Sequence, residues 1–332
     1  MKNNAKIILG ILIVAFVGVY LYYVNMEKPK EELPPVVTIN NDPVAGCYVA
    51  KLAKDVYLLK IDSEVNGNVV GVLAFNNFEK DSSSGTFNGI YKDGILLGNY
   101  SFSSEGMDSE MQVIFKKEGG FFVRGYGNSK IEGDKVTFEN LANITYDSSV
   151  KFIKNASCVE TFTEVNNKFT LSYNTLFKAY EPNLEQNDSS LDWRLDAKQK
   201  GMLLARVSIP KVYMPNTNFS NGYLTVGAST VPKEITSCTN AGSGEVKEGM
   251  KDISGYPFTR FATNSAAAGN LYETVSYRGL LDGDCYALEY TIHSTNIANY
   301  SPDQNIKEFD KAKVQNEFEK IIASFKFLVN SD

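Results

Sequence analysis

Between residues 46 and 158 the chain is punctuated by dipeptides that accept a left-handed backbone, each flanked by short runs rich in apolar residues. Asn66-Gly67 separates residues 56–61 from 69–75, and Asp93-Gly94 separates 85–92 from 95–102. Asn-Gly and Asp-Gly fit a two-residue turn whose twist matches that of paired strands, so each marks a hairpin. Glu118-Gly119-Gly120 stands in the same way between 111–116 and 121–125, and Gly133-Asp134 precedes 135–138. In the first of these strands Tyr57, Leu59 and Ile61 share one face. About eight short strands follow from this spacing, as an antiparallel meander closed into a small barrel or packed as a sandwich. Closure would remove unpaired strand edges.

The other strong constraint lies at the N-terminus. An uncharged run begins at Ile7 and ends at Val24. As a helix it would cover roughly 27 Å, close to the thickness of a bilayer's hydrocarbon core. Lys2 and Lys6 precede it, which favours a cytoplasmic N-terminus. No small-residue cleavage site follows, and Tyr20, Tyr22 and Tyr23 suit the outer interface. A retained signal anchor is the expectation, with the membrane as partner. Val44-Ala45-Gly46-Cys47 resembles a lipobox, the alternative in which the segment is cleaved and Cys47 lipidated. A lipobox directly ends the apolar core, however, and this motif lies well beyond it. Residues 25–45 carry Pro29, Pro34, Pro35 and Pro43 and read as a stalk, extended at about 3.1 Å per residue where polyproline-like.

After residue 165 the pattern changes to α+β. Residues 168–173, 202–209, 223–228, 271–280 and 285–293 read as strands, the last two joined by a loop containing Asp282-Gly283. Val314, Phe318, Ile321, Ile322 and Phe325 fall on one helical stripe, so a C-terminal amphipathic helix packs on the sheet, capped by Asp310 or Asn305. The expected plan is a tip and transmembrane anchor over 1–24, a stalk over 25–45, an all-β domain over 46–160 and an α+β domain over 165–330.

Four cysteines fall two per domain, at Cys47, Cys158, Cys238 and Cys285. An even count outside the membrane, without C-x-x-C spacing, favours disulfides over zinc or redox chemistry, and the within-domain pairing is the expected one. Four buried free thiols are the alternative.

Familiar catalytic patterns are missing. His293 is the single histidine, on a strand opposite Ile292, and no G-x-S-x-G accompanies it. One histidine and dispersed cysteines make no common zinc set, so neither metal nor cofactor is expected. Gly242-Ser243-Gly244 does not extend to a dinucleotide fingerprint. The formal charge of −6 argues against nucleic acid as a partner. Candidate polar sites are few. Glu79, Lys80 and Asp81 occupy one β-domain loop and Glu105 a neighbouring one, where paired carboxylates could act on a glycan. In the second domain Arg260, Arg278 and Asn296 could line one end of the sheet and hold a carboxylate. The small-residue run 264–270 precedes a strand and fits a tight turn or a close ligand approach.

Gly46-Cys47-Tyr48, Gly71-Val72-Leu73, Phe78-Glu79-Lys80-Asp81, Gly85-x-x-x-Gly89 and Tyr100-x-Phe102-x-Ser104-Glu105-Gly106 together resemble a small module of uncharacterised bacterial envelope proteins and lipoproteins. Cys285-Tyr286 and the closing Ile321-Ile322-x-x-Phe325-Lys326-Phe327 make the second domain similar to the PsbP/Mog1-like α/β/α sandwich. The resemblance implies binding or assembly modules of the envelope rather than catalysts, with an envelope protein or a cell-wall ligand as partner. The alternative expectation is an envelope hydrolase acting on cell-wall glycan through Glu79, Asp81 or Glu105.

Overall fold

The computed structural model describes residues 44–78, 81–104, 107–166, 168–180 and 193–328. The anchor, nearly all of the stalk, Glu79, Lys80 and Glu105 lie outside the described residues. No helix among the described residues is long and apolar enough to cross a membrane.

Ten strands make the first sheet: β1 (Gly46–Leu52), β2 (Asp55–Val65), β3 (Asn68–Asn76), β4 (Ser83–Lys92), β5 (Ile95–Ser104), β6 (Met107–Glu118), β7 (Phe121–Tyr126), β8 (Ser129–Glu132), β9 (Lys135–Phe138) and β10 (Thr145–Lys154). Strands β1 to β7 follow one another as antiparallel neighbours except where β10 enters between β7 and β1. Because β5 also pairs with β6, the ring closes through β1-β2-β3-β4-β5-β6-β7-β10. It is an eight-stranded barrel, with β8 and β9 hung from β6 as a side hairpin. The turns are those that the dipeptides announced. Asn66 and Gly67 take φ of 53° and 82°, a double left-handed turn that a β-branched pair could not adopt. Tyr48, Leu73, Phe87, Phe115, Phe122 and Phe152 fill the interior, each buried.

After β10 come β11 (Val159–Thr163), β12 (Phe169–Asn174), β13 (Lys178–Tyr180), β14 (Met202–Ile209), β15 (Phe219–Ser229), the short helix α1 (Pro232–Ser237), β16 (Val246–Ile253), β17 (Tyr256–Ala267), β18 (Asn270–Leu281), β19 (Asp284–Thr295), α2 (Lys311–Ser324) and β20 (Lys326–Phe327). Seven of the strands form one antiparallel sheet in the order β13-β14-β15-β19-β18-β17-β16, and β11-β12-β20 form a small one. Helix α2 begins at Asp310, whose carboxylate accepts from the Lys313 amide at 3.0 Å. Asn305 instead ends a preceding 3-10 turn with φ of 53°. Val314, Phe318, Ile321 and Ile322 are the buried face of α2, and Phe318 stacks on Tyr290 of β19 at 4.8 Å. The small-residue run 264–270 is the end of β17 and a turn at Ala268-Gly269, both left-handed.

The barrel and the larger sheet share one apolar cluster. Cys47, Val49, Leu58 and Ala74 point out of the barrel and pack with Phe169, Leu288, Phe318 and their neighbours. Both expected disulfides are present, Cys47–Cys158 and Cys238–Cys285, with Cα separations of 5.6 and 5.7 Å. Two bridges suggest an oxidising, extracytoplasmic location.

Cys47–Cys158 closes a loop of 111 residues. Its replacement by a pair of serines is expected to cost about 4–5 kcal/mol in the chain-entropy model. Urea unfolding of the oxidised variant against wild type measures the loss.

Candidate functional site

Alternation gives the seven-stranded sheet two unlike faces. On β19, Tyr286, Leu288, Tyr290 and Ile292 belong to the apolar cluster shared with α2. Glu289, Thr291 and His293 point the other way. Cross-strand register sets Thr225 and Ser276 beside Glu289, Tyr223 and Thr274 beside Thr291, and Arg278 beside Ala287. A polar face of an antiparallel sheet ordinarily looks into water. Here it is covered: Glu289 is 5% exposed, Arg278 1%, and Thr225, Thr274, Ser276 and Thr291 are all buried.

The cover supplies partners. Leu195 donates its amide to Glu289 Oε1 at 2.7 Å. Arg194 pairs with Glu234 of α1 at 2.6 Å, and the amides of Lys198 and Gln199 donate to the same carboxylate. Arg278 pairs with Glu245, which also accepts from the Gly242 amide. Trp193 lies against Gly227 so closely that a Cβ there would sit 2.3 Å from the Trp193 carbonyl oxygen. Only glycine fits. Glu289 Oε2, Ser276 Oγ and the Nε atoms of Arg194 and Arg278 are buried without a partner. The cluster thus holds three carboxylates against two guanidiniums. Glu289, the carboxylate with no ion pair among the described residues, has its pKa pushed up by burial, against the opposing pull of the Leu195 amide and Arg278.

Towards β13 the same face opens. Register aligns Lys178, Ser208 and Tyr223 in one row, with Tyr180, Arg206 and Thr225 in the next. These side chains meet the barrel at a cleft of about 390 Å³, lined on the barrel side by Asn76, Ser82, Ser83 and Ser84 and on the sheet side by Lys178, Arg206, Ser208, Asn221 and Tyr223. Lys178 donates to Ser82 Oγ at 2.9 Å, and Asn76 Nδ2 to the Phe177 carbonyl at 3.2 Å, so both cross the junction. A second cleft, of about 280 Å³, shares Lys178 and Asn76 and adds Lys54, Asn77 and Phe78. The barrel loop is shaped by Asn77, whose amide donates to Ser82 Oγ, and by Phe78, whose amide donates to Asp55 at 2.7 Å. Arg206 lies over the Tyr223 ring at 5.1 Å, with its Nε buried and unbonded. Burial pulls the Lys178 pKa down, and the carboxylates of Asp81 and Asp55 pull it back up.

Of the residues singled out in the sequence, Asp81 is exposed, and its loop neighbours Phe78 and Ser82–Ser84 line the clefts. Arg260 and Arg278 stand on opposite faces, because Arg260 pairs in register with Tyr277 and Arg278 with Thr259. Arg260 donates to the Tyr277 hydroxyl at 3.1 Å and pairs with Glu248. Asn296 is exposed in a loop after β19, capping a 3-10 turn by accepting from the Ala298 amide at 3.0 Å. The structure does not bring these three together. His293 stacks on Tyr272 at 4.6 Å and bonds Asn270 at 2.8 Å. No group of His, Cys, Asp and Glu among the described residues could hold a metal. Sequence reasoning missed Glu289, Lys178 and Arg206. An acid inside the apolar run of β19 was a usable signal for Glu289; Lys178 and Arg206 carried none.

No family model matches the chain, and no curated protein is similar to it. Among solved structures it is similar to a protein of Bacteroides thetaiotaomicron VPI-5482, at 11% identity and a TM-score of 0.30, over 52% of this chain and 50% of that one. A likeness of that degree carries no argument about function.

Because the native pKa of Glu289 lies above its unfolded value, the folded state binds the extra proton between the two. Its contribution to stability is therefore lost as pH rises through the native pKa. Glu289→Gln keeps the acceptor for Leu195 and removes the charge. The variant is expected to gain stability on wild type as pH rises from about 4.3, the unfolded glutamate value. Denaturant melts of both proteins from pH 4 to pH 9 read this difference; a constant offset would refute it.

Proposed function

We propose that the protein is an extracytoplasmic binding module, tethered to the membrane by residues 7–24, that holds its ligand in the cleft between barrel and sheet. The observation that carries this reading is the pair Lys178 and Arg206. Both line one cleft, and among the described residues neither has a carboxylate in an ion pair. Unpaired cations in a partly enclosed cleft are costly to desolvate, so the arrangement is favourable once a ligand supplies the missing charge or hydrogen bonds. The rest of the lining combines hydroxyl, amide and aromatic groups that orient a bound molecule with the apolar Leu176, Ile209 and Pro210. The two disulfides, Lys2 and Lys6 and the uncharged run after them support the outward topology.

Intact-mass measurement of protein extracted from membranes tests the tether. The expected mass retains the full N-terminus; a chain starting at a lipidated Cys47 would overturn it. For the cleft, a photo-crosslinking residue at Ser84 is expected to capture an envelope component in intact cells. The same residue at exposed Ser63 on the barrel should not. Equal capture at both positions would count against the cleft.

A further inference from the structure

The chemistry of the cleft deepens this reading, on which the following rests. The chain as a whole is acidic, with 39 acidic against 33 basic residues. Several of its cations find a carboxylate, among them three of the four arginines after residue 190: Arg194 with Glu234, Arg260 with Glu248 and Arg278 with Glu245. Lys178 and Arg206 have no carboxylate in an ion pair among the described residues, and they are set on adjacent strands with one lateral step and one row between them. Among the described residues, no acidic side chain lines the cleft. Among the described residues, Lys178 donates to a serine hydroxyl alone. Arg206 is oriented by the ring of Tyr223, and its terminal nitrogens carry no hydrogen bond among the described residues. A guanidinium held by an aromatic face keeps its planar fork free for a planar anion, and a carboxylate fits that fork with two parallel hydrogen bonds. The ammonium adds a second point of charge without fixed direction.

Charge is half of the pattern. The other half is a dense set of neutral donors and acceptors: Ser82, Ser83 and Ser84 in succession, Ser208 opposite them, and the amides of Asn76 and Asn221 at the two rims. Serine hydroxyls and carboxamides both give and take hydrogen bonds, which is what a polyol requires of its site. The volume, about 390 Å³, falls within the range of clefts that hold small organic ligands, about 300–1,000 Å³, and exceeds the needs of a bare inorganic ion. We infer that the junction cleft takes a carboxylated saccharide, its carboxylate on Arg206 and Lys178 and its hydroxyls on the serine and asparagine groups.

Calorimetry on the full-length chain in detergent tests this with three probes: tri-galacturonate, its fully methyl-esterified form, and inorganic phosphate. The ester removes each negative charge and adds one methyl group per residue. The acid is expected to bind about tenfold or more tightly than the ester, and that advantage should disappear in Lys178→Gln/Arg206→Gln. Lys178→Arg, which keeps the charge, should retain the preference for acid over ester, and Lys311→Gln on α2 should change nothing. Thermal melts of each variant separate lost binding from lost fold, and Lys178→Arg with each single Gln variant decides the matter if the double variant does not fold. Equal binding of acid and ester, abolished when Ser208→Trp fills the cleft, overturns the carboxylate and leaves the binding module standing. Phosphate binding as tightly as the acid overturns the saccharide. If the acid does not bind, the inference fails, and capture at Ser84 in cells then decides the cleft separately.

Discussion

The structure depends on one wall of the barrel being apolar on both sides. Along β1 to β3, Leu59 and Leu73 face the barrel interior, while Val49, Leu58 and Ala74 face outwards into the cluster of the larger sheet and α2. Register makes these outward residues one row, since Val49 opposes Leu58 and Leu58 opposes Ala74. A wall that serves two cores cannot move relative to either without exposing apolar area, at roughly 25 cal/mol per Å². Cys47 belongs to the same row of contacts, and its bridge to Cys158 ties the barrel's first strand to the chain segment that leaves its last. The junction cleft inherits that rigidity. Asn76 ends β3 and Ser83 starts β4, so the barrel rim of the cleft is set by the shared wall, and Lys178 and Arg206 by the sheet packed against it.

The larger sheet resolves the opposite problem. One face is apolar and takes α2; the other is polar and yet buried. Burying Arg278, Glu245, Arg194 and Glu234 costs desolvation that their mutual attraction roughly offsets when every group is paired. What such a network contributes is discrimination: α1 and residues 193–200 have one place to sit, because only there do Glu234 and Glu289 collect three backbone amides and Trp193 reach Gly227. Arg194 adds a side-chain donor to Glu234. Cys238–Cys285 fixes α1 to β19 at the same place. The polar face is continuous in register from Glu289 through Thr225 to Arg206, so the sealed end and the open cleft are two ends of one surface.

Local features were legible from the sequence because they are decided locally. Asn66-Gly67, Asp93-Gly94 and Asp282-Gly283 each adopt the left-handed turn that their residue types favour, and the strands beside them follow. The stripe from Val314 to Phe325 is buried as a stripe, and Asp310 caps it. The two disulfides follow from segment ends that the barrel and the sheet bring together. Reading failed where a residue's role depends on what covers its far side. Alternation in β2 places Tyr57, Leu59 and Ile61 on one face, but it does not report that Leu58 on the other face is as buried as Leu59, because a second core lies behind it. Arg260 and Arg278 looked like partners by residue type, and strand parity separates them by the thickness of the sheet. Lys178 and Arg206, far apart in the chain, become neighbours only through pairing of a three-residue strand with β14. No composition or spacing rule reports such a pairing.

The interior of the barrel explains why recognition would fall at the junction at all. Eight strands enclose a space just wide enough for side chains or for one small ligand. Here Phe87, Phe115, Phe122 and Phe152 occupy it, with edge-on contacts such as Phe115 to Phe152 at 5.4 Å and Tyr48 to Phe122 at 4.9 Å. A filled barrel gives stability and a rigid rim but no internal site. The sealed end of the polar sheet face is likewise packed, by Trp193 and the ion pairs of the cover. Between these two filled regions the rim of one meets the open edge of the other. There the short strand β13 leaves its neighbour's Arg206 and Ser208 bordering a gap that neither core closes. Polar groups that would be costly inside either core are tolerated at that seam, where they face each other across a space large enough for a ligand.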